Sequence, residues 1–371
     1  MRRLRVAVLF GGRSGEHEVS LMSARSVLQT LDPRRYEVLP VGITREGRWF
    51  TGDSAQAVLS ALERRETDGL QPLALVPQPG HPANPKVDVA FPVLHGPMGE
   101  DGTIQAVLEL AEIPYVGAGV AASAVGMDKA LMKALFRAAG LPVSGYRVVS
   151  YREWQCRRAQ LLKELAIRPG FPAFVKPASL GSSVGVNRAA NTQELEVALD
   201  LALQYDCKAL VEASAEPARE IECSVLGNEE PVASLPGEVI PSRPFYDYVA
   251  KYEDPTTRLA VPAELPGELV TEIQRLAVAA FSAVDASGMA RVDFFLRPDG
   301  QVLVNEINTI PGFTAVSMYP RLWEASGLPY PQLLDRLIDL ALQAHARRAA
   351  CRLAQASFSA RGAAPSKPNP S

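Results

Sequence analysis

Close to the start of the chain lies an apolar run, Val6 to Phe10, closed by Gly11-Gly12. An apolar run of this length bounded by glycine reads as a buried strand, here over residues 4–10. Gly11-Gly-Arg-Ser-Gly15 then turns into a helix from about Glu18 to Leu31. Strand-like runs recur at Tyr36 to Ile43 and Val87 to Leu94. The second leads into His95-Gly-Pro-Met-Gly-Glu-Asp-Gly102 and a helix from Thr103. Strands alternating with helices predict a doubly wound α/β domain with a mainly parallel sheet, whose loops at the strand C-termini line a ligand crevice. The proline-rich stretch Gln71 to Pro85 reads as a surface excursion.

Further along, a helix from Met127 carries Lys129 and Lys133 and meets a stop at Gly140-Leu-Pro142. Phe171 to Pro177, Lys208 to Glu212 and Glu220 to Leu226 read as strands, with a helix from about Thr192 to Gln204 between the first two. Leu269, Ile273, Leu276, Ala277 and Ala280 form the apolar stripe of another helix. From Gln355 to Ser371 the chain is rich in Ser, Ala and Pro without periodicity, as in a disordered tail.

The sharpest pattern is Arg291-Val-Asp293-Phe-Phe-Leu-Arg-Pro-Asp-Gly300-Gln-Val-Leu-Val-Asn305-Glu306-Ile-Asn308. Asp-Gly between apolar alternations marks a hairpin. With Asp299 and Gly300 as a two-residue loop, Asp293 falls opposite Glu306 and Arg291 opposite Asn308, all on one face. Val292, Phe294, Leu296, Leu303 and Ile307 fall on the other. Facing carboxylates repel, and a divalent cation between them removes that cost. Magnesium takes oxygen ligands, often one or two carboxylates plus substrate phosphates, and Asn308 adds a neutral oxygen. A solvated outer face with both acids in water would explain the same alternation.

Composition narrows the setting. At 371 residues the chain has room for two or three domains, and 47% apolar with 21% charged residues is ordinary for a globular protein. A net charge of −3 offers no general attraction to nucleic acid or anionic membrane. The four cysteines lie far apart without CxxC spacing, which disfavours a zinc site or disulfide framework. With no signal-like or membrane-spanning run, a cytoplasmic protein is expected.

Several loops carry candidate chemistry. Gly181-Ser182-Ser183-Val-Gly185 lets backbone N–H groups approach an anion closely, although such a segment is also a common turn. Lys176 ends an apolar strand just before it, where a buried ammonium group needs an anionic partner. The aromatic stretch Phe245-Tyr-Asp-Tyr248-Val-Ala-Lys251-Tyr252 suits a lid, or a plain surface loop. Gly312 offers a bare N–H for an oxyanion, and Arg291 a positive charge beside it. His95 is placed to touch substrate, whereas His17 reads as a structural hydrogen-bonder. Glu18, at a helix start, suits either the helix dipole or a substrate ammonium group. Jointly these point to phosphoryl transfer from a nucleoside triphosphate, with the acceptor left open.

From Val6 to about Leu342 the motifs resemble the D-alanine–D-alanine ligases of the ATP-grasp superfamily. They include Gly11-Gly-Arg-Ser-Gly-Glu-His-Glu18, His95-Gly-Pro-Met-Gly-Glu-Asp-Gly, Met127-Asp-Lys129, Val175-Lys176-Pro, Lys251-Tyr252 and Asn305-Glu-Ile-Asn308-Thr-Ile-Pro-Gly. The resemblance implies an N-terminal Rossmann-like doubly wound domain (1–122) followed by an α+β ATP-grasp fold. The latter comprises a central subdomain (123–210) and a C-terminal one (211–350), with 351–371 as the tail.

By the same resemblance, Lys129, Lys176 and Lys251 contact ATP phosphates, Ser183 and Phe245 join the nucleotide site, and Glu212 and Glu220 lie around adenine and ribose. Asp293, Glu306 and Asn308 hold two magnesium ions, with manganese as a substitute. Glu18 binds the amino group of the first D-alanine and joins Ser182 and Tyr252 in closing the lid. Arg291 and the Gly312 N–H stabilise the tetrahedral intermediate, and Ser317 holds the second carboxylate. The implied reaction joins two D-alanine molecules through an acyl phosphate for peptidoglycan synthesis, in a homodimer. Ala213 and Val249 depart from the family pattern, in which a lysine or glutamate and an acidic lid residue are usual. Tyr252 and Met318 weigh against D-lactate or D-serine as the second substrate.

Overall fold

A computed structural model gives the structure over residues 2–181, 184–240, 257–314 and 316–362. Ser182, Ser183, Phe245, Lys251 and Tyr252 lie outside the described residues, as does the rest of the aromatic stretch between Phe245 and Tyr252.

The first sheet contains β1 (Leu4–Gly11), β2 (Tyr36–Ile43), β3 (Trp49–Thr51), β4 (Gln71–Pro72) and β5 (Val89–Pro92), ordered β4-β3-β2-β1-β5. Central β1 runs parallel to β2 and β5, while β3 and β4 fold back antiparallel at the edge. Because both faces of β1 are covered, its sequence is apolar throughout rather than alternating. Val6, Val8 and Phe10 enter one core and Ala7 and Leu9 another. Gly11 has φ +90°, and a Cβ there would lie 2.2 Å from the Ile43 carbonyl oxygen, so glycine is required where β1 turns. Helices α1 (His17–Thr30), α2 (Ala55–Arg64) and α3 (Thr103–Leu110) complete this part.

Two short helices follow, α4 (Val120–Met127) and α5 (Lys129–Ala138). The helix expected from Met127 starts instead at Lys129: Asp128 has extended backbone, and its side-chain Oδ1 caps α5 by accepting from the Ala130 and Leu131 N–H groups at 3.0 and 3.1 Å. The central sheet, ordered β6-β9-β7-β8, comprises β6 (Tyr146–Ser150), β7 (Ala173–Pro177), β8 (Asn187–Ala189) and β9 (Lys208–Ala213). With α6 (Tyr151–Ile167) and α7 (Thr192–Tyr205) it encloses a separate core around Trp154, Leu161, Val175, Leu199 and Val211.

The third sheet holds β10 (Arg219–Gly227), β11 (Val232–Ala233), β12 (Gly237–Ile240), β13 (Arg258–Ala260), β14 (Gly288–Leu296) and β15 (Val302–Asn308). The last helices are α8 (Gly267–Ala283), α9 (Met318–Ala325) and α10 (Tyr330–Gly362). One face of this sheet packs Ile221, Val225, Val292, Phe294, Val304 and Ile307 against α5 and α8. The end of the chain departs from expectation: α10 continues to Gly362, so residues 351–362 are helical rather than unstructured. Alanine and arginine favour helix here, and no proline intervenes before Pro365.

The β14–β15 hairpin forms with Asp293 opposite Glu306 and Arg291 opposite Asn308. Its route to that register differs from the expected one. Arg297 and Gln301 close a three-residue loop, Pro298-Asp299-Gly300, with Gly300 at φ +85°. The extra loop residue is offset by a β-bulge at Asn305. Between loop and bulge the phase is shifted, so Val302 and Val304 join the core while Leu303 pairs with Phe295. Leu303 is buried as expected, but on the opposite face of the hairpin from Val292, Phe294 and Ile307, and its expected face is corrected.

Candidate active site

The polar faces of β10, β14 and β15 form one wall of a cavity of about 920 Å³, roofed by β7, β9, α5 and the loops after β1 and β5. Alternation puts Ile221, Cys223 and Val292 into the core. Their sequence neighbours Glu220, Glu222, Arg291 and Asp293 therefore face the cavity. Glu222 pairs with Asp293, which pairs with Glu306, so three carboxylates lie in one row across three strands.

Cations hold this row together. Arg291 makes a two-point contact with Asp293, at 2.6 and 2.7 Å, and its Nε lies 3.0 Å from Glu222 Oε2. Asn308 donates to Asp293 at 3.0 Å. Lys129 Nζ lies 3.7 Å from Glu306 Oε2 and donates to the Leu180 carbonyl at 2.7 Å. All these carboxylates are partly or fully buried, where Coulomb interactions are strong and unpaired charge is costly.

A second charged group sits on the opposite wall. Both oxygens of Glu212 are engaged, Oε2 by Lys176 at 2.9 Å and Oε1 by Lys133 at 2.7 Å. Burial opposes the Glu212 charge, but the two ammonium groups outweigh it and hold the carboxyl down at about 2. Burial likewise opposes charge on Lys176, but Glu212, Glu306 and Glu220 keep its pKa raised. Lys133, deeper in the protein, has its pKa lowered by burial, with Glu212 acting against the shift. The expectation that a lysine ending β7 would have an anionic partner holds.

The third wall corrects one expectation. Glu18 does not line the cavity: it lies in the first turn of α1, its side chain 55% exposed, and accepts from Arg45 at 2.5 Å. Glu16, at the cap of α1, lines the cavity instead. A Cβ on Gly96 or Gly181 would lie 2.6 or 3.1 Å from its Oε2. Two residues along a helix turn a side chain by about 200°, so a two-residue error reverses the direction faced. His17 is buried with Nδ1 2.8 Å from the Gly12 carbonyl oxygen, a structural role as expected.

His95 lines the cavity but is buried among protein partners. Its Nδ1 faces the Ile310 carbonyl at 3.1 Å and Glu100 at 3.4 Å, and its Nε2 lies 3.0 Å from Ser23 Oγ. Burial alone would depress its pKa, but Glu100, Glu16 and the Ile310 carbonyl outweigh burial and leave it raised. Ser23 also accepts from the Phe313 N–H at 3.3 Å, so this cluster fixes the loop that carries Gly312. Gly312 and Ser317 both line the cavity, and a Cβ on Gly312 would lie 2.7 Å from Ser317 Oγ. Ser317 Oγ also meets the Thr314 N–H at 3.0 Å and the Thr314 hydroxyl at 2.8 Å.

The structure thus brings together His95, Lys129, Lys176, Glu212, Glu220, Arg291, Asp293, Glu306, Asn308, Gly312 and Ser317. It adds Glu16, Glu100 and Glu222 to the cavity and Lys133 behind it. Glu222 had a readable signal, the Glu220-Ile-Glu222-Cys-Ser224 alternation, while Lys133 showed no sequence feature beyond its place on the helix with Lys129.

The N-terminal domain family of D-Ala–D-Ala ligases matches residues 5–118, and the C-terminal domain family of the same enzymes matches residues 135–339. The chain belongs to the D-alanine–D-alanine ligase family. It is 51% identical to a D-alanine–D-alanine ligase of Heliobacterium modesticaldum, over 92% of this chain and 95% of that protein. It is 50% identical to one of Solibacter usitatus, over 95% and 100%. Among solved structures, the D-alanine–D-alanine ligase of Coxiella burnetii superposes with a TM-score of 0.84 at 39% identity, covering 96% of this chain and all of that one. A D-Ala:D-Ser ligase from Enterococcus faecalis gives 0.83 at 35% identity, over 92% and 100%. The family's ATP-grasp architecture accounts for the two α+β units that follow the Rossmann-like domain. Among the described residues no helix is long and apolar enough to cross a membrane.

Proposed function

We propose that this chain joins two D-alanine molecules into D-alanyl-D-alanine, with cleavage of ATP to ADP and phosphate through an acyl phosphate. The observation that carries this reading is the cavity's charge layout. The row Glu222–Asp293–Glu306 on one wall faces Lys129 and Lys176, with Arg291 and the Gly312 N–H at its end.

The donor set fits magnesium. Among the described residues no group of three or more His, Cys, Asp or Glu is arranged to hold a metal ion. Two carboxylates and the Asn308 amide oxygen are instead the hard, incomplete oxygen set that magnesium completes with phosphates and water. Asp293, Glu306 and Asn308 would hold the ions. Bound there, magnesium would neutralise charge building up on the transferring phosphoryl group. Lys129 and Lys176 would bind the phosphate chain, and Glu220 would lie on the nucleotide side.

Glu16, in the place expected for Glu18, would bind the ammonium group of the first D-alanine and turn its carboxylate toward the γ-phosphate. Arg291 and the Gly312 N–H would receive the oxyanion formed when the second amine attacks, and Ser317 would hold the second carboxylate. His95 would position the Gly312 loop through Ile310 and Ser23. Ser182, Ser183, Phe245, Lys251 and Tyr252 belong to the proposed lid and nucleotide contacts, which would exclude water from the acyl phosphate.

The relatives at about half identity favour D-alanine over D-serine or D-lactate as the second substrate. Mass spectrometry after incubation with ATP, magnesium and D-alanine tests the reading, with D-serine and D-lactate as competitors. The dipeptide is the expected product. An ester or mixed dipeptide as the main product, or phosphate release independent of D-alanine, would overturn it.

A further inference from the structure

Three charged groups from three elements meet at the cavity wall: Lys133 on α5, Lys176 on β7 and Glu212 on β9. Lys176 and Glu212 line the cavity, while the Lys133 side chain does not and is only 1% exposed. With both lysines protonated, one carboxylate against two ammonium groups gives these three side chains a net charge of +1. If Lys133 were neutral, Glu212 and Lys176 would form a self-neutralising pair beside the cavity.

We infer that Lys133 is a positioning residue for the nucleotide: by occupying Glu212 Oε1 it leaves the positive charge of Lys176 available to the phosphate chain, while Glu212 Oε2 fixes the direction of that ammonium group. The inference rests on the ATP reading above and adds to it a residue that touches no substrate. Because the cluster is shielded from solvent, its net charge is weakly screened and acts strongly on a polyanion nearby. Adenosine, lacking phosphates, does not sense that charge.

The test compares full-length wild type, Lys133→Met, Glu212→Gln and the double variant. Calorimetry measures magnesium-bound AMP-PNP and adenosine, and steady-state kinetics separates KM for ATP from kcat. Methionine keeps roughly the length and volume of lysine and removes its charge together with its N–H donors. Lys133→Met is expected to weaken AMP-PNP binding by at least about tenfold, to move adenosine binding less than about twofold, and to act mainly on KM. The double variant again carries one positive charge, on Lys176, and is expected to bind AMP-PNP more tightly than Lys133→Met alone. A purely structural lysine predicts the reverse order, with the double variant worst and adenosine weakened in parallel.

AMP-PNP affinity unchanged in Lys133→Met, or equal losses for both ligands, overturns the inference while leaving the ATP reading intact. Wild type that binds no nucleotide overturns both. Should Lys133→Met not fold, the double variant decides alone. AMP-PNP affinity within about tenfold of wild type supports the inference, and a larger loss overturns it.

Discussion

At the scale of single residues, charge without shape decides most of the site. Glu306 and Asp293 face each other across one rung of a ladder, an arrangement that costs energy unless a cation intervenes. Lys129 and Arg291 supply that positive charge in the structure. Glu306→Gln keeps the shape and removes one charge from the proposed metal site, leaving Lys129 without its carboxylate. Turnover is expected to fall by at least ~100-fold, with the melting temperature changed by only a few degrees. Steady-state kinetics beside a thermal melt checks this, and near-normal activity at ordinary magnesium would contradict it.

Glu16 and Glu18 offer a sharper comparison at the same scale. Both stand in one motif, and only the start of α1 tells which faces the cavity. Glu16→Gln is expected to raise KM for D-alanine at the first site by at least ~10-fold. Glu18→Gln should lose only the exposed Arg45 pair, a contribution of about 1 kcal/mol or less, and keep its kinetics. Initial rates across D-alanine concentration separate the two, and the opposite ranking would restore Glu18 to the site.

At the scale of elements, the hairpin shows what was legible and why. The facing acids were readable because side-chain period and an Asp-Gly turn constrain register strongly. A three-residue loop and the bulge at Asn305 cancel each other, so the pairing of Asp293 with Glu306 survives while the face expected for Leu303 does not. Counting along a strand sees the sum of insertions and not where they fall. The break between α4 and α5 was hidden for a related reason: Asp128 reads as an ordinary helix residue until its backbone is seen to be extended. That cap fixes the helix carrying Lys129 and Lys133, and Asp128 also pairs with Lys208 on β9. Asp128→Ala removes the acceptor for two helix N–H groups and is expected to cost ~1–2 kcal/mol of stability. It should also raise KM for ATP several-fold, because α5 presents both lysines. Denaturant unfolding and ATP kinetics on the same preparation test this, and intact stability would show the cap to be dispensable.

At the scale of the whole molecule, two shared structures join the parts. The first core continues from β1 and β5 into the C-terminal region, where Phe313 meets Phe91 edge to face at 5.7 Å and packs near Tyr319 and Leu337. The second junction is polar. Lys133 stands on a helix whose Met132 and Phe136 belong to the third sheet's core, whereas Lys176 and Glu212 flank Val175 and Val211 of the central core. Neither junction could be read by periodicity, which reports the face a residue takes and not the distant element that covers it.

The polar junction makes stability depend on pH in a definable window. Glu212 titrates near 2 in the folded protein against an ordinary 4.5, so its folded value is depressed. Its stabilisation is therefore complete above about 4.5 and is lost as pH falls through about 2, the folded state then having to protonate a carboxylate that two lysines hold ionised. The amount at stake is on the order of 3 kcal/mol. Glu212→Gln leaves two buried ammonium groups without their counter-ion and is expected to be markedly less stable than wild type near pH 7. Since the variant cannot lose what it lacks, the stability gap should narrow steadily between pH 4.5 and 2. Urea unfolding of both proteins across that range measures the gap directly. A gap as wide at pH 3 as at pH 7 would mean that Glu212 does not hold the two units together through its charge.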